Sequence, residues 1–131
     1  MISTRGRYAL RVMIDLAENQ GEGYVPMKAV ATRQELSLKY LEQILPALTK
    51  ANLVEGIQGK GGGYRLTKKP EEYKIGDILR VTEKDLAPVS CLSEGAPVCE
   101  RREECATIGF WEGMNNVINE YIDSKTLGDL L

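Results

Sequence analysis

The stretch from residue 27 to residue 66 constrains this chain most. It reads as a short helix, a tight connection, a longer helix and a glycine-rich hairpin. Val25-Pro26 leads into the first piece, Met27 to Arg33, and proline suits a first helical turn. Gln34 to Leu36 make the connection. Ser37 then caps SLKYLEQILPALTK, in which Leu38, Leu41, Leu45 and Leu48 recur at helical spacing and face a core. Lys39, Tyr40, Glu42 and Gln43 consequently project outward from the first two turns. Pro46 lies inside this helix, where its missing N–H and its ring predict a bend or local unwinding beyond Ile44. Leu53-Val54-Glu55 and Gly63-Tyr64-Arg65-Leu66 read as two short strands joined through GIQGKGG.

A short helix, a turn and a helix with polar side chains at its N-terminal end form the helix-turn-helix pattern. A glycine-rich hairpin directly after it reads as a wing, where glycine lets the main chain come close to a partner. Lys60 at the tip suits a phosphate, and Gln58 suits a base edge or sugar. A nucleotide phosphate loop is excluded, because no Gly-Lys-Ser/Thr closes the run and a strand follows where a helix would begin. The expected fold is mainly α: a winged helix-turn-helix head with a small β-hairpin wing, plus a long C-terminal dimerisation helix.

Charge supports a polyanionic partner for the head. Residues 1–69 carry eleven Lys and Arg against six Asp and Glu, a net +5, whereas residues 70–131 carry six against thirteen, a net −7. Chance clustering is the alternative reading of that split. The first helix, capped by Ser3 or Thr4, buries Tyr8, Ala9, Val12, Met13, Leu16 and Ala17 and carries Arg5, Arg7 and Arg11 near its start. Arginines there oppose the helix dipole, which points to an anion nearby. Acids and arginines interrupt the apolar part of the N-terminus, so it reads as a structural helix and not a leader. No run of eighteen apolar residues exists, so no membrane span and a cytoplasmic location are expected.

Asn19 to Gly23 forms a turn. Pro70-Glu71-Glu72 signals a further helix start, with Tyr73, Ile75, Ile78, Leu79 and Val81 as its apolar positions, and Glu83 to Ser90 reads as a connector. All three cysteines, Cys91, Cys99 and Cys105, lie within fifteen residues, an odd number for a disulfide framework. Thiolates are soft donors that suit iron–sulfur clusters, zinc or Cu(I). After them, Ile108, Phe110, Trp111, Met114, Val117, Ile118, Tyr121 and Ile122 mark an amphipathic helix of about twenty residues, some 30 Å long. It outreaches the head that could cover it, so packing against a twin helix is expected. The resulting division is 1–69 head, 70–90 connecting helix and linker, 91–105 cysteine loop and 106–131 dimerisation helix and tail. Nothing points to catalysis: there is no histidine base, no Cys-x-x-Cys and no paired acids in an evident pocket context.

STRGRYALRVMIDLA, LSLKYLEQIL, GKGGGYRL, IGDILRVTE and the three-cysteine loop before a long helix ending TLGDLL resemble the Rrf2 family of bacterial regulators, and within it the IscR-like iron–sulfur branch. The resemblance covers nearly the whole chain. It implies a homodimeric winged-helix transcription factor that binds double-stranded DNA at a palindromic operator. Glu42 and Gln43 would face bases, with Lys39 and Tyr40 beside them, and Gln58, Gly59 and Lys60 would be wing contacts. Arg5, Lys28 and Ser37 complete the expected DNA-binding set. Cys91, Cys99 and Cys105 would ligate an iron–sulfur cluster, most often 2Fe-2S in that branch with 4Fe-4S as the variant, and cluster-assembly genes would be the targets. Structural zinc, or a cofactor-free regulator with redox-sensing thiols, are the alternatives. Two positions depart from the pattern. Ile108 stands where relatives usually carry a histidine ligand, and Gln58 stands where many carry an arginine. Relatives that use a carboxylate of the first helix as ligand have a counterpart region here that offers Tyr8, with Asp15 the first acid.

Overall fold

A computed structural model describes residues 2–21 and 23–131. Met1 and Glu22, the latter inside the expected turn at 19–23, lie outside the described residues. The helices are α1 (Thr4–Asn19), α2 (Met27–Gln34), α3 (Leu38–Lys50), α4 (Ile75–Thr82) and α5 (Ile108–Ser124), with strands β1 (Val54–Ile57) and β2 (Gly63–Leu66) between α3 and α4. Among the described residues no helix is long and apolar enough to cross a membrane.

The head forms as the apolar spacing dictates. Ser3 caps α1, and Ala9, Val12, Met13 and Leu16 are buried on one face. Ser37 caps α3 by accepting from the Tyr40 N–H at 3.2 Å, and Leu41, Ile44, Leu45 and Leu48 join the same core. The expected unwinding at Pro46 does not occur: α3 is helical without interruption from Leu38 to Lys50. Pro46 and Glu42 both lie on the exposed side. The Glu42 carbonyl that loses its helical partner therefore faces water, while the buried leucines hold the helix from the other face.

β1 and β2 pair antiparallel in the register Val54 to Leu66 and Ile57 to Gly63. Val25 extends the ladder, donating to the Tyr64 carbonyl at 2.8 Å and accepting from the Tyr64 N–H at 2.9 Å. Gly63 is what permits this. Its φ is +149°, and a Cβ there would sit 2.2 Å from the Val25 carbonyl oxygen. The base of the wing is clamped by Tyr73. Its hydroxyl donates to the Leu53 carbonyl at 2.7 Å and accepts from the N–H groups of Thr67 and Lys68 at 2.8 and 3.1 Å.

The helix expected from Pro70 begins later. Pro70–Glu72 is a separate 3₁₀ turn, and the α-helix starts at Ile75. The break lets Tyr73 point inward and frees residues 73–75 to pair with the C-terminal segment. Ile75 N–H donates to the Lys125 carbonyl, and Leu127 N–H to the Tyr73 carbonyl, each at 2.9 Å. A capping box between Thr126 and Asp129 closes a last 3₁₀ turn, Leu127–Leu130. Leu127 is 0% exposed and belongs to the head's own core.

At 17 residues, α5 is slightly shorter than its pattern predicts. It docks beside α4 through the Arg80 guanidinium, which donates to both carboxylate oxygens of Asp123 at 2.7 and 2.9 Å and to Asn119 at 2.8 Å.

Candidate nucleic-acid interface and cysteine loop

Helix α3 separates two depressions that between them collect most of the expected contact residues. On one side a groove of about 470 Å³ runs between α3 and the wing, with Lys28, Glu42, Gln58 and Gly59 among its lining residues. On the other side a cleft of about 80 Å³ is lined by Arg5, Tyr40, Gln43 and Ile44. Lys39 and Lys60 are exposed and line neither depression; Lys60 sits at the wing tip. Ser37 spends its oxygen as acceptor on the α3 cap, which leaves its hydroxyl proton available to a partner. Tyr40 is half-buried, and its ring meets that of Tyr8 edge-on, with centroids 5.5 Å apart.

A polar network centred on the buried Asp15 fixes the end of α2 from which the chain turns into α3. This carboxylate is 1% exposed. It accepts two hydrogen bonds from the Arg33 guanidinium, at 2.7 and 3.0 Å, and one from the Gln34 side chain at 2.9 Å. Arg11 in turn donates to the Gln34 side-chain oxygen at 3.2 Å and to the Gln34 carbonyl, and stacks over the Tyr8 ring at 5.3 Å. Burial alone would push the Asp15 carboxyl up. The hydrogen bonds from Arg33 and Gln34 and the Arg33 charge outweigh that and hold it below the usual carboxylate value. The network ties α1 to the C-terminal end of α2, just before the connection to α3. Nothing in the sequence spacing reveals it; an acid inside an apolar helical face was its one trace. It also commits Asp15, so this acid of the first helix is not free to ligate a metal.

The cysteine segment is looser. Its helical pieces are 3₁₀ turns at Ser90–Leu92 and Arg102–Glu104. Cys91 and Cys105 are half-buried, Cys99 is exposed, and all three are free thiols. Cys105 lies just before α5, its sulfur 3.5 Å from the Thr107 hydroxyl. That hydrogen bond, with those of the Thr107 and Ile108 N–H groups and the Arg101 charge, holds its thiol below the ordinary value against a smaller effect of burial. Arg102 pairs with Glu112 at 2.7 Å. Among the described residues no three His, Cys, Asp or Glu side chains are placed together to hold a metal ion. The donor set of three thiolates fits a soft metal or an iron–sulfur cluster in kind. Ligation requires the segment to draw the three sulfurs together.

Helix α5 keeps a bare apolar face. None of its residues is buried, and Phe110, Val117 and Tyr121 are 62, 65 and 62% exposed. Gly109, Gly113, Met114 and Ile118 join Phe110 and Val117 around a shallow apolar groove of about 470 Å³.

Comparison with known proteins agrees with this architecture. A family model described as Rrf2, iron-dependent transcriptional regulator, matches residues 2–131. The chain is 35% identical over 130 residues to the HTH-type transcriptional regulator IscR of Aliivibrio salmonicida, covering 99% of this chain and 76% of that protein. It is 41% identical over 129 residues to the HTH-type transcriptional regulator CymR of Bacillus subtilis, covering 98% and 88%. The solved structure of CymR, described as the global cysteine regulator of B. subtilis, superposes with a TM-score of 0.79 at 39% identity, covering 99% of this chain and 95% of that one.

Proposed function

The chain belongs to the Rrf2 family of transcriptional regulators, and on that premise we propose that it is a dimeric, sequence-specific DNA-binding protein whose cysteine segment reports iron–sulfur cluster status. The observation that carries the DNA reading is the arrangement of expected contacts around α3: Lys28, Glu42, Gln58 and Gly59 on the wing side, and Arg5, Tyr40 and Gln43 on the other. In the major groove Glu42 accepts from cytosine N4, and Gln43 is suited to an adenine edge. Lys39, Lys60 and Arg5 neutralise phosphate, and the Ser37 hydroxyl donates to it. Two heads joined through the bare faces of α5 would each read half of a palindromic site.

Two substitutions separate these roles. Lys60→Ala weakens binding to every duplex and lowers the slope of log affinity against log salt by about one. Glu42→Ala leaves that slope unchanged or raises it, and relaxes discrimination at one base pair by about 1–3 kcal/mol. Fluorescence anisotropy on a panel of operator variants across a salt series checks both. Unchanged relative affinities for Glu42→Ala would refute base reading by this residue.

Cys91, Cys99 and Cys105 would hold the cluster, with 2Fe-2S the form favoured and 4Fe-4S the variant; when bound, it supplies a redox-labile group sensitive to iron and oxidant. The chain has no histidine, and Asp15 is committed to Arg33 and Gln34. A fourth ligand therefore falls to a nearby acid such as Glu94, Glu100, Glu103 or Glu104, or to a small thiol. Cluster-assembly genes are the proposed targets.

The lowered Cys105 thiol and the exposure of Cys99 support a second reading, a cofactor-free regulator whose thiols are the sensor. Anaerobic purification discriminates. A coloured protein whose visible absorption and iron content are lost in Cys99→Ala supports the cluster. A colourless, iron-free protein whose DNA affinity changes on thiol oxidation supports the second reading.

A further inference from the structure

The segment between α4 and the cysteines makes a contact with the DNA-binding head that neither the fold nor the motifs explain. Glu83, the first residue after α4, reaches back to the start of the chain. Its Oε1 accepts from both the backbone N–H and the hydroxyl of Ser3, each at 2.8 Å. Ser3 is the cap of α1, but its own capping hydrogen bond to the Gly6 N–H is long, at 3.5 Å. The first turn of α1 contains no acid and carries Arg5 and Arg7, so it has cations where the helix dipole favours anions. The Glu83 carboxylate supplies the missing negative charge from 80 residues away in sequence. Gly6 makes room for it: a Cβ there would lie 2.2 Å from Glu83 Oε1. Arg5 stands in this same turn and lines the cleft with Tyr40 and Gln43.

The other end of the link lies in the cysteine segment. Ser93, two residues after Cys91, donates its hydroxyl hydrogen to Asp85, whose carboxylate also accepts from the Ala87 N–H at 2.9 Å. The backbone from 83 to 87 is thereby folded against residue 93. A continuous path of hydrogen bonds and short chain runs from Ser93 through Asp85 and Glu83 to Ser3 and the turn that bears Arg5.

We infer that Glu83 is a positioning residue for DNA binding: it holds the first turn of α1, and Arg5 with it, in its DNA-facing place, and it transmits the state of the segment after α4 to that turn. This rests on the DNA-binding role proposed above for Arg5. Without Glu83 the first turn frays, because the capping Ser3 loses its anchor and the turn its nearby carboxylate while its arginines remain. Arg5 is then no longer held against phosphate, and that ionic contact is lost.

The test uses the full chain and a labelled mixed-sequence DNA duplex, so no operator need be known. Glu83→Ala is expected to weaken binding about fivefold, the factor that corresponds to one helix cap, and to lower the salt slope by about one, as Arg5→Ala does. Ser3→Ala should do part of the same, and the double variant Ser3→Ala, Glu83→Ala no more than Glu83→Ala alone. General destabilisation would not alter the salt slope. Wild-type slope and affinity in Glu83→Ala, or additive losses in the double variant, overturn the positioning role. Hydrogen exchange read by mass spectrometry tests transmission: Asp85→Ala should speed exchange at the start of α1 as Glu83→Ala does, and unchanged protection there overturns it. A wild-type protein with no salt-dependent duplex binding would instead defeat the DNA-binding reading itself, while the exchange measurement would still judge the link.

Discussion

Leu127→Ala is expected to destabilise the protein by about 3 kcal/mol, within the range for emptying a fully buried leucine site. For a chain of this size that lowers Tm by about 10 °C. The size of the effect follows from where the residue lies. Leu127 is four positions short of Leu131 and follows a helix with no buried residue, yet it is 0% exposed and part of the cluster that contains Val12, Met13, Leu48 and Tyr73. Its backbone is fixed by donation to the Tyr73 carbonyl and by the Thr126–Asp129 capping box. The loss therefore falls on the head, not only on α5. Calorimetric unfolding at several protein concentrations, which separates subunit folding from association, is the measurement. A shift smaller than 2 °C would show that the C-terminal segment is not part of the core.

Asp15→Ala is expected to cost about 2–3 kcal/mol. Breaking a buried ion pair by deleting one partner typically costs about 3–5 kcal/mol. Arg33 is 39% exposed and partly rehydrates once released, which places this case at or below the lower end. The loss has a pH signature. The Asp15 carboxyl sits below its usual value in the folded protein, so its stabilisation is complete above the unfolded value of about 4 and disappears as pH falls through the lower folded value. Asp15→Asn removes that contribution, so the gap in stability between wild type and variant should narrow on acidification below about pH 4. Urea unfolding at a series of pH values checks it. A gap independent of pH would mean that the carboxylate charge contributes nothing. Because the network fixes the end of α2 from which the chain turns into α3, Asp15→Asn should also weaken DNA binding at neutral pH, where the protein remains folded.

The head was legible because its determinants are local. Ser37 before an amphipathic run, Pro26 before Met27 and the glycines between β1 and β2 each act within a few residues, and each produced the expected element. The helix does not unwind at Pro46 for a reason outside the local sequence: the orphaned carbonyl faces water and the leucines on the other face hold the helix. Pro70-Glu71-Glu72 misled in the same way. It is a good helix start, but Tyr73 is needed inside, where its hydroxyl satisfies three backbone groups at the base of the wing.

By itself, then, the sequence determined the helix-turn-helix order, the wing, the polar face of α3 that bears Glu42 and Gln43, and the apolar face of α5. These follow from periodicity, capping and turn chemistry, which operate over a few residues. Only the tertiary structure decided that Asp15 belongs to Arg33 and Gln34, that Leu127 completes the head's core, and that Glu83 holds the capping Ser3 80 residues before it. Such pairings join positions far apart in the chain. They are selected by which buried polar groups and apolar side chains remain unsatisfied once the local elements have formed, and no local pattern encodes that choice.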